Sequence, residues 1–228
     1  MQIFDRWPAK HPERIQLFSL STPNGVKVSV ALEELELPNE AHIVNIREGE
    51  QFTPEFISIS PNSKIPAIVD PHGPGGKPIA MMESVAILLY LAEKAGRLLP
   101  VDPAERYECM QWLCFQVGHI GPLFGQFGHF YKYAADTCKD PYPVERYANE
   151  ARRLLGVLEH RLDGRDYIMG DEFTIADIAI FPWVVCLREF YLGGDRVGLD
   201  DFSVVNAWVQ RCKARPSYQR GKGVCSLA

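Results

Sequence analysis

Strand-like segments stop at Leu99-Pro100. Before that point, short apolar runs alternate with Pro, Gly and Asn clusters. After it, apolar residues recur only at helical spacing. A 228-residue chain divided in this way holds a small α/β part and an all-helical part. The expected parts are an irregular arm over 1–14, an α/β domain over 15–95, a helical domain over 103–216 and a loosely ordered tail over 217–228.

Within the first part, residues 15–20 read as a strand and Thr22-Pro23-Asn24-Gly25 as a turn. Residues 26–37 carry Val28, Val30, Ala31, Leu32 and Leu35 on a helical pattern, and residues 41–46 alternate like a strand. Thr53-Pro54 opens a short helix, with Thr53 as N-cap and Pro54 in the first turn. Residues 66–69 and 78–82 read as strands around a Gly-rich turn, and residues 84–94 as an apolar helix. The order is βαβ, a helix, then ββα. Four helical stretches follow, over 104–133, 142–162, 176–191 and 202–215.

Composition removes several functions. The formal net charge is −5 and no basic tract is interleaved with aromatics, so no nucleic-acid partner is expected. The apolar runs are too short to span a membrane, and the first ten residues lack the pattern of a signal peptide. Six cysteines, at 109, 114, 138, 186, 212 and 225, form no CxxC pair and no metal-ligand spacing. A reduced, cytoplasmic setting fits. All six lie after residue 100, which predicts a first domain without a thiol.

Three short motifs carry chemistry. Pro66 enters a strand and cannot donate a ladder hydrogen bond. It marks either a plain edge-strand start or a cis Ile65-Pro66 bond, which would turn the backbone of residue 65 toward an extended peptide. Lys64 beside it can pair with a carboxylate. Glu83-Ser84 opens a helix, where free N–H groups and the helix dipole favour an anion. Glu83 would draw a neighbouring ammonium, so the pair suits an α-amino acid head group; simple helix capping is the alternative. Thr22 and Asn24 stand at the end of the first strand, where a βαβ unit places ligand groups. They can hydrogen-bond to a thiolate and lower its pKa, or merely cap the turn. Together the motifs suggest a peptide-like anionic ligand held by backbone.

These motifs, with Gly49-Glu50-Gln51-Phe52, Gln111-Trp112-Leu113, Gly121-Pro122 and Glu145-Arg146-Tyr147, resemble the glutathione transferase superfamily from Ile15 to Pro216. The finer resemblance is to the bacterial Nu-class and the fungal nitrogen-regulator-like group. It implies an α/β thioredoxin-like N-terminal domain, an all-α C-terminal domain and a homodimer. By the same resemblance Thr22 and Asn24 face the glutathione sulfur. Gln51, Lys64, Ile65 and Pro66 hold its glycyl and cysteinyl portions. Glu83 and Ser84 hold the γ-glutamyl head, and Arg146 comes from the helical domain. Ser21 is a competing sulfur contact. No tyrosine or cysteine stands at the Thr22 turn, where other classes use one. The implied activity is reduction of small or mixed disulfides by bound glutathione, one or two molecules per site, with transferase and peroxidase side activity and no metal. Conjugation of small electrophiles and a non-catalytic regulatory role are the alternatives.

Overall fold

The structure, a computed structural model, describes residues 1–227. The chain forms two compact units: residues 1–97 together with the segment from residue 215 onward, and residues 98–214.

The first unit opens with a short helix, α1 (Ile3–Arg6), and continues through β1 (Ile15–Ser19), α2 (Pro23–Glu34) and β2 (Asn39–Ile43). Then follow α3 (Pro54–Ile57), β3 (Ala67–Asp70), β4 (Ile79–Met82) and α4 (Ser84–Ala95). The sheet order is β2-β1-β3-β4. β1 and β2 are parallel, with Ile15 opposite Asn39, and α2 supplies the crossover that such a pair requires. β3 runs antiparallel to both β1 and β4. The two central strands are buried along their whole length, so β1 carries apolar Leu17 and Phe18 side by side and buries its polar Gln16 and Ser19 as well. β2 begins two residues before the predicted alternation, because pairing with β1 sets its register. Val28, Ala31 and Leu32 of α2 and Ile87, Leu88 and Leu91 of α4 are fully or almost fully buried.

The second unit forms no strand among the described residues. α5 (Pro103–Phe115) starts on Asp102, whose carboxylate accepts from the Ala104 and Glu105 N–H groups at 2.9 and 3.0 Å. It runs through a wider π-type turn over Gln116–Ile120 into α6 (Gly121–Gly128), then through a second such turn over His129–Tyr133. α7 (Tyr142–Leu162), α8 (Ile175–Val185), α9 (Gly194–Val197) and α10 (Ser203–Ala214) complete it. Asp177 is fully buried near the start of α8. Its carboxylate accepts from the Thr174 N–H, the Ile168 N–H and Trp208 Nε1, each at 2.9 Å, and from the Thr174 hydroxyl at 3.2 Å. The Thr174–Asp177 capping box is structural, as its form predicts.

The arm is irregular apart from α1 yet packed down, and the tail, expected to be loose, is helical. The N-terminal arm is ordered: Ile3 is fully buried in a cluster with Phe18, Val44 and Phe56, and Trp7 Nε1 donates to the Ile43 carbonyl at 2.9 Å. The segment expected to be a loose tail forms α11 (Pro216–Gly221), which packs on α2. A Cβ at Gly221 would come within 2.9 Å of the Val30 backbone, so only glycine permits this approach. The Ser29 hydroxyl donates to the Gly221 carbonyl at 2.8 Å, and Glu34 binds both Arg215 and Ser217. Beyond it, Cys225 is 3% exposed and its carbonyl accepts from the Ser21 N–H at 3.0 Å. The first unit therefore contains one thiol after all, brought there from the far end of the chain.

Four mixed strands with flanking helices, followed by an all-helical unit, make a thioredoxin-like domain with an all-α C-terminal domain.

Candidate functional site

The turn after β1 is built around a close approach. A Cβ at Gly25 would lie 2.0 Å from the Leu20 carbonyl oxygen, so glycine is required for the start of α2 to sit against the end of β1. Thr22 is the N-cap of α2, its hydroxyl accepting from the Gly25 N–H at 3.3 Å. Asn24 follows one residue inside the helix.

A cavity of about 160 Å³ opens beside this turn. It is lined by Asn24, Ser60, Asn62, Lys64, Ile65, Pro66, Met82, Glu83 and Ser84. Six of the expected site residues therefore converge: Asn24, Lys64, Ile65, Pro66, Glu83 and Ser84. The Ile65-Pro66 bond is cis. The Ser60 hydroxyl donates to the Lys64 carbonyl at 2.8 Å and fixes the loop that carries Lys64.

Glu83 has a left-handed backbone, φ +68° and ψ +109°, a conformation that costs a non-glycine residue about 1–3 kcal/mol. Its side chain makes no capping hydrogen bond to α4 and is exposed. Plain helix capping by Glu83 is thereby excluded. The carboxylate stands free at the rim beside Ser84, the first residue of α4.

Behind two of the lining residues, Asn24 and Ser84, lies a residue that sequence reading missed. Lys27 is fully buried. Its ammonium donates to Asn24 Oδ1 at 2.7 Å and to Ser84 Oγ at 3.3 Å. Burial pushes its pKa well below the usual lysine value, with the Glu83 charge opposing that fall. A lysine one turn into an amphipathic helix reads as solvated, and only the Asn-x-x-Lys spacing could have signalled otherwise.

Three expected residues lie outside the cavity lining. Thr22 is two residues from Asn24, at the mouth of the same turn. Gln51 sits in a single 3-10 turn over Glu50–Phe52, and its Oε1 is buried without a hydrogen-bond partner. Arg146 belongs to the second unit, exposed on α7. The competing Ser21 is engaged elsewhere: its hydroxyl lies 3.0 Å from that of Ser226. A larger depression of about 530 Å³ on the second unit, lined by Arg165, Asp166, Ser203 and Arg211 among others, is open. Arg211 there already pairs with Asp166 at 3.5 Å, and the depression has no convergent set of the kind seen beside Asn24.

Of the thiols, Cys114 is exposed and Cys138 half-buried, while the other four are buried. Burial pushes Cys109 up to about 11 and Cys186 and Cys225 up to about 12, so these stay protonated at neutral pH. Among the described residues no group of three or more His, Cys, Asp or Glu could hold a metal ion, and no helix is long and apolar enough to cross a membrane.

Residues 22–94 match the model of the glutathione S-transferase N-terminal domain, and residues 123–216 that of the C-terminal domain. The disulfide-bond oxidoreductase YfcG of Escherichia coli is 45% identical over 205 residues, covering 89% of this chain and 92% of that protein. The crystal structure of a glutathione transferase family member from Pseudomonas fluorescens, with two glutathione bound, superposes with a TM-score of 0.96. It is 56% identical and covers 97% of this chain and 98% of that one. A glutathione transferase from Pseudomonas putida, with one glutathione disulfide bound per subunit, gives 0.95 at 55% identity, over 97% and 96% of the two chains. The chain belongs to the glutathione S-transferase superfamily, as the sheet order, the helical second unit and the cavity beside Asn24 had indicated.

Proposed function

We propose that the protein is a glutathione-dependent disulfide oxidoreductase of the bacterial Nu-class kind. The observation that carries this reading is the cavity itself, where an amide, a lysine, an acidic residue and a helix start converge. Each matches a group of glutathione. The Glu83 carboxylate suits the γ-glutamyl ammonium, and Ser84 at the start of α4 suits the α-carboxylate. Lys64 suits the glycyl carboxylate, and the buried acceptor of Gln51 calls for a donor. Asn24 and Thr22 then face the sulfur and favour its thiolate by hydrogen bonding.

The chemistry follows from which sulfur reacts. Bound glutathione thiolate attacks one sulfur of a substrate disulfide, forming a mixed disulfide and releasing a substrate thiolate. A second glutathione thiolate attacks the glutathione sulfur of that mixed disulfide. Glutathione disulfide and the second substrate thiol leave. Two electrons pass from two glutathiones to the substrate, and no protein thiol changes state. The likeness to proteins crystallised with two glutathiones or one glutathione disulfide supports this sequence.

The reading is tested by comparing hydroxyethyl disulfide with an aryl halide, each with glutathione. The expected result is disulfide turnover well above conjugation. Conjugation exceeding disulfide reduction would overturn it in favour of transferase chemistry.

A further inference from the structure

We propose that the segment over residues 222–227 is a positioning strap for the turn between β1 and α2, holding Thr22 in place through the Cys225 carbonyl and the Ser226 hydroxyl. The proposal rests on the glutathione reading above and goes beyond it, because it assigns the strap no contact with the ligand.

The turn closes most of its backbone bonds within the first unit's own β1–α2–β2 segment. The Thr22 N–H donates to the Leu20 carbonyl at 2.7 Å, and the Val26 N–H to the Thr22 carbonyl at 2.9 Å. The Ser19 carbonyl accepts from the Val44 N–H at 2.9 Å. Ser21 is tied differently. Its N–H donates to the Cys225 carbonyl at 3.0 Å, and its hydroxyl lies 3.0 Å from that of Ser226. Two adjacent residues from the far end of the chain therefore hold the residue immediately before the Thr22 N-cap.

The strap is itself anchored along α2. Glu34 binds Arg215 and Ser217, and Arg220 pairs with Glu33 at 2.6 Å. The Ser29 hydroxyl donates to the Gly221 carbonyl at 2.8 Å. As the chain runs from 215 to 226, its contacts step back from residue 34 to residue 29 and then to residue 21. Beyond α11 it turns tightly: the Val224 N–H donates to the Gly221 carbonyl at 3.3 Å and the Ser226 N–H to the Gly223 carbonyl at 3.2 Å. These bonds set the reach from α11 to the turn.

Ser21 and Ser226 are exposed, so water can replace their bonds and losing them costs little stability. Water cannot restore position. A displacement of about 1 Å in a group that contacts a reacting atom can cost about a hundredfold in rate. The acting group of Cys225 is its carbonyl, which a change of side chain leaves in place. The coupling is also reciprocal: a ligand that holds the turn holds the strap.

A chain ending at Gly223 tests this, because it keeps α11 with its ties to α2 and removes both bonds to Ser21. The thiolate absorbance of bound glutathione is followed against pH, alongside thermal unfolding. The expected result is a melting temperature within about 4 °C of wild type, with the thiol pKa of the complex raised by about one unit. kcat/KM for disulfide reduction should fall about tenfold. A shortened protein that binds glutathione with the wild-type thiol pKa overturns the proposal and leaves the functional reading standing. Wild-type protein that fails to bind glutathione overturns both. Should the shortened chain not fold, hydrogen exchange over residues 222–227 is measured in the wild type with and without glutathione. Exchange slowed about tenfold by saturating glutathione supports the coupling, and exchange left unchanged overturns it.

Discussion

Asn24→Ala is expected to lower kcat/KM for glutathione-dependent disulfide reduction by roughly 10- to 150-fold. A hydrogen bond to a charged group is worth about 1.5–3 kcal/mol, and the thiolate would lose such a donor. The fall should be larger at low pH than at high pH, because the thiol of the complex then titrates nearer its free value. Thr22 is the N-cap of α2 and Asn24 is not, so the helix should survive the change. The substitution also removes an acceptor from the Lys27 ammonium, so some stability is lost with the activity. Steady-state rates taken well below the melting temperature separate the two effects. Thr22→Ser, which keeps both cap and hydroxyl, should stay close to wild type. An Asn24→Ala enzyme within twofold of wild type across the pH range would remove Asn24 from the sulfur contact.

The largest stability effect is expected at Asp177, far in sequence from any ligand-facing residue. All four of its partners are donors: two backbone N–H groups, an indole N–H and a hydroxyl. Asp177→Ala leaves three N–H donors in a buried site without acceptors. At about 1–3 kcal/mol for each of the three unsatisfied groups, the loss is about 3 kcal/mol or more. That is a large part of a typical domain's stability of about 5–15 kcal/mol. Asp177→Asn should fare little better, since its NH2 end would face other donors. Urea unfolding followed by tryptophan fluorescence reads the effect well, because Trp208 is one of the partners. A loss below about 1 kcal/mol would contradict the assignment.

Much of the fold was legible because its signals are local. The alternation of strand and helix periods before Leu99, and its absence afterwards, gave the division into α/β and all-α parts. Tyr142–Leu162 is an amphipathic helix that begins beside prolines, and it ends where the pattern ends. The site motifs were also local, each sitting in one turn or one helix start. What escaped depends on distance. The segment from Pro216 looks polar, and its packing rests on partners far away in sequence, Gly221 against Val30 and Ser217 on Glu34. The arm before Ile15 gains order from Ile3 and Trp7, which pack around Phe18 and Phe56, residues distant from them in sequence. Lys27 was missed because helical lysines are usually solvated, and its burial follows from α2 lying against α4. The left-handed backbone of Glu83 leaves no trace in composition, since the residue is not glycine.

The thiol count also changed meaning between sequence and structure. Cys225 was assigned to a tail and lies instead in the first unit, its carbonyl bonded to the residue just before Thr22. A protein sulfur in that unit must be tested rather than excluded by position. Its burial and raised pKa argue that it stays a thiol. In the proposed mechanism the reacting sulfur is brought by glutathione. The most direct measurement is hydroxyethyl disulfide turnover by a protein carrying Cys114→Ser, Cys138→Ser and Cys225→Ala, which removes the two least buried thiols and the one in the first unit. Turnover equal to wild type, with no mixed disulfide on the protein by intact mass, is the predicted result. Loss of turnover in a folded variant, or a glutathione adduct on the wild-type chain during catalysis, would contradict it.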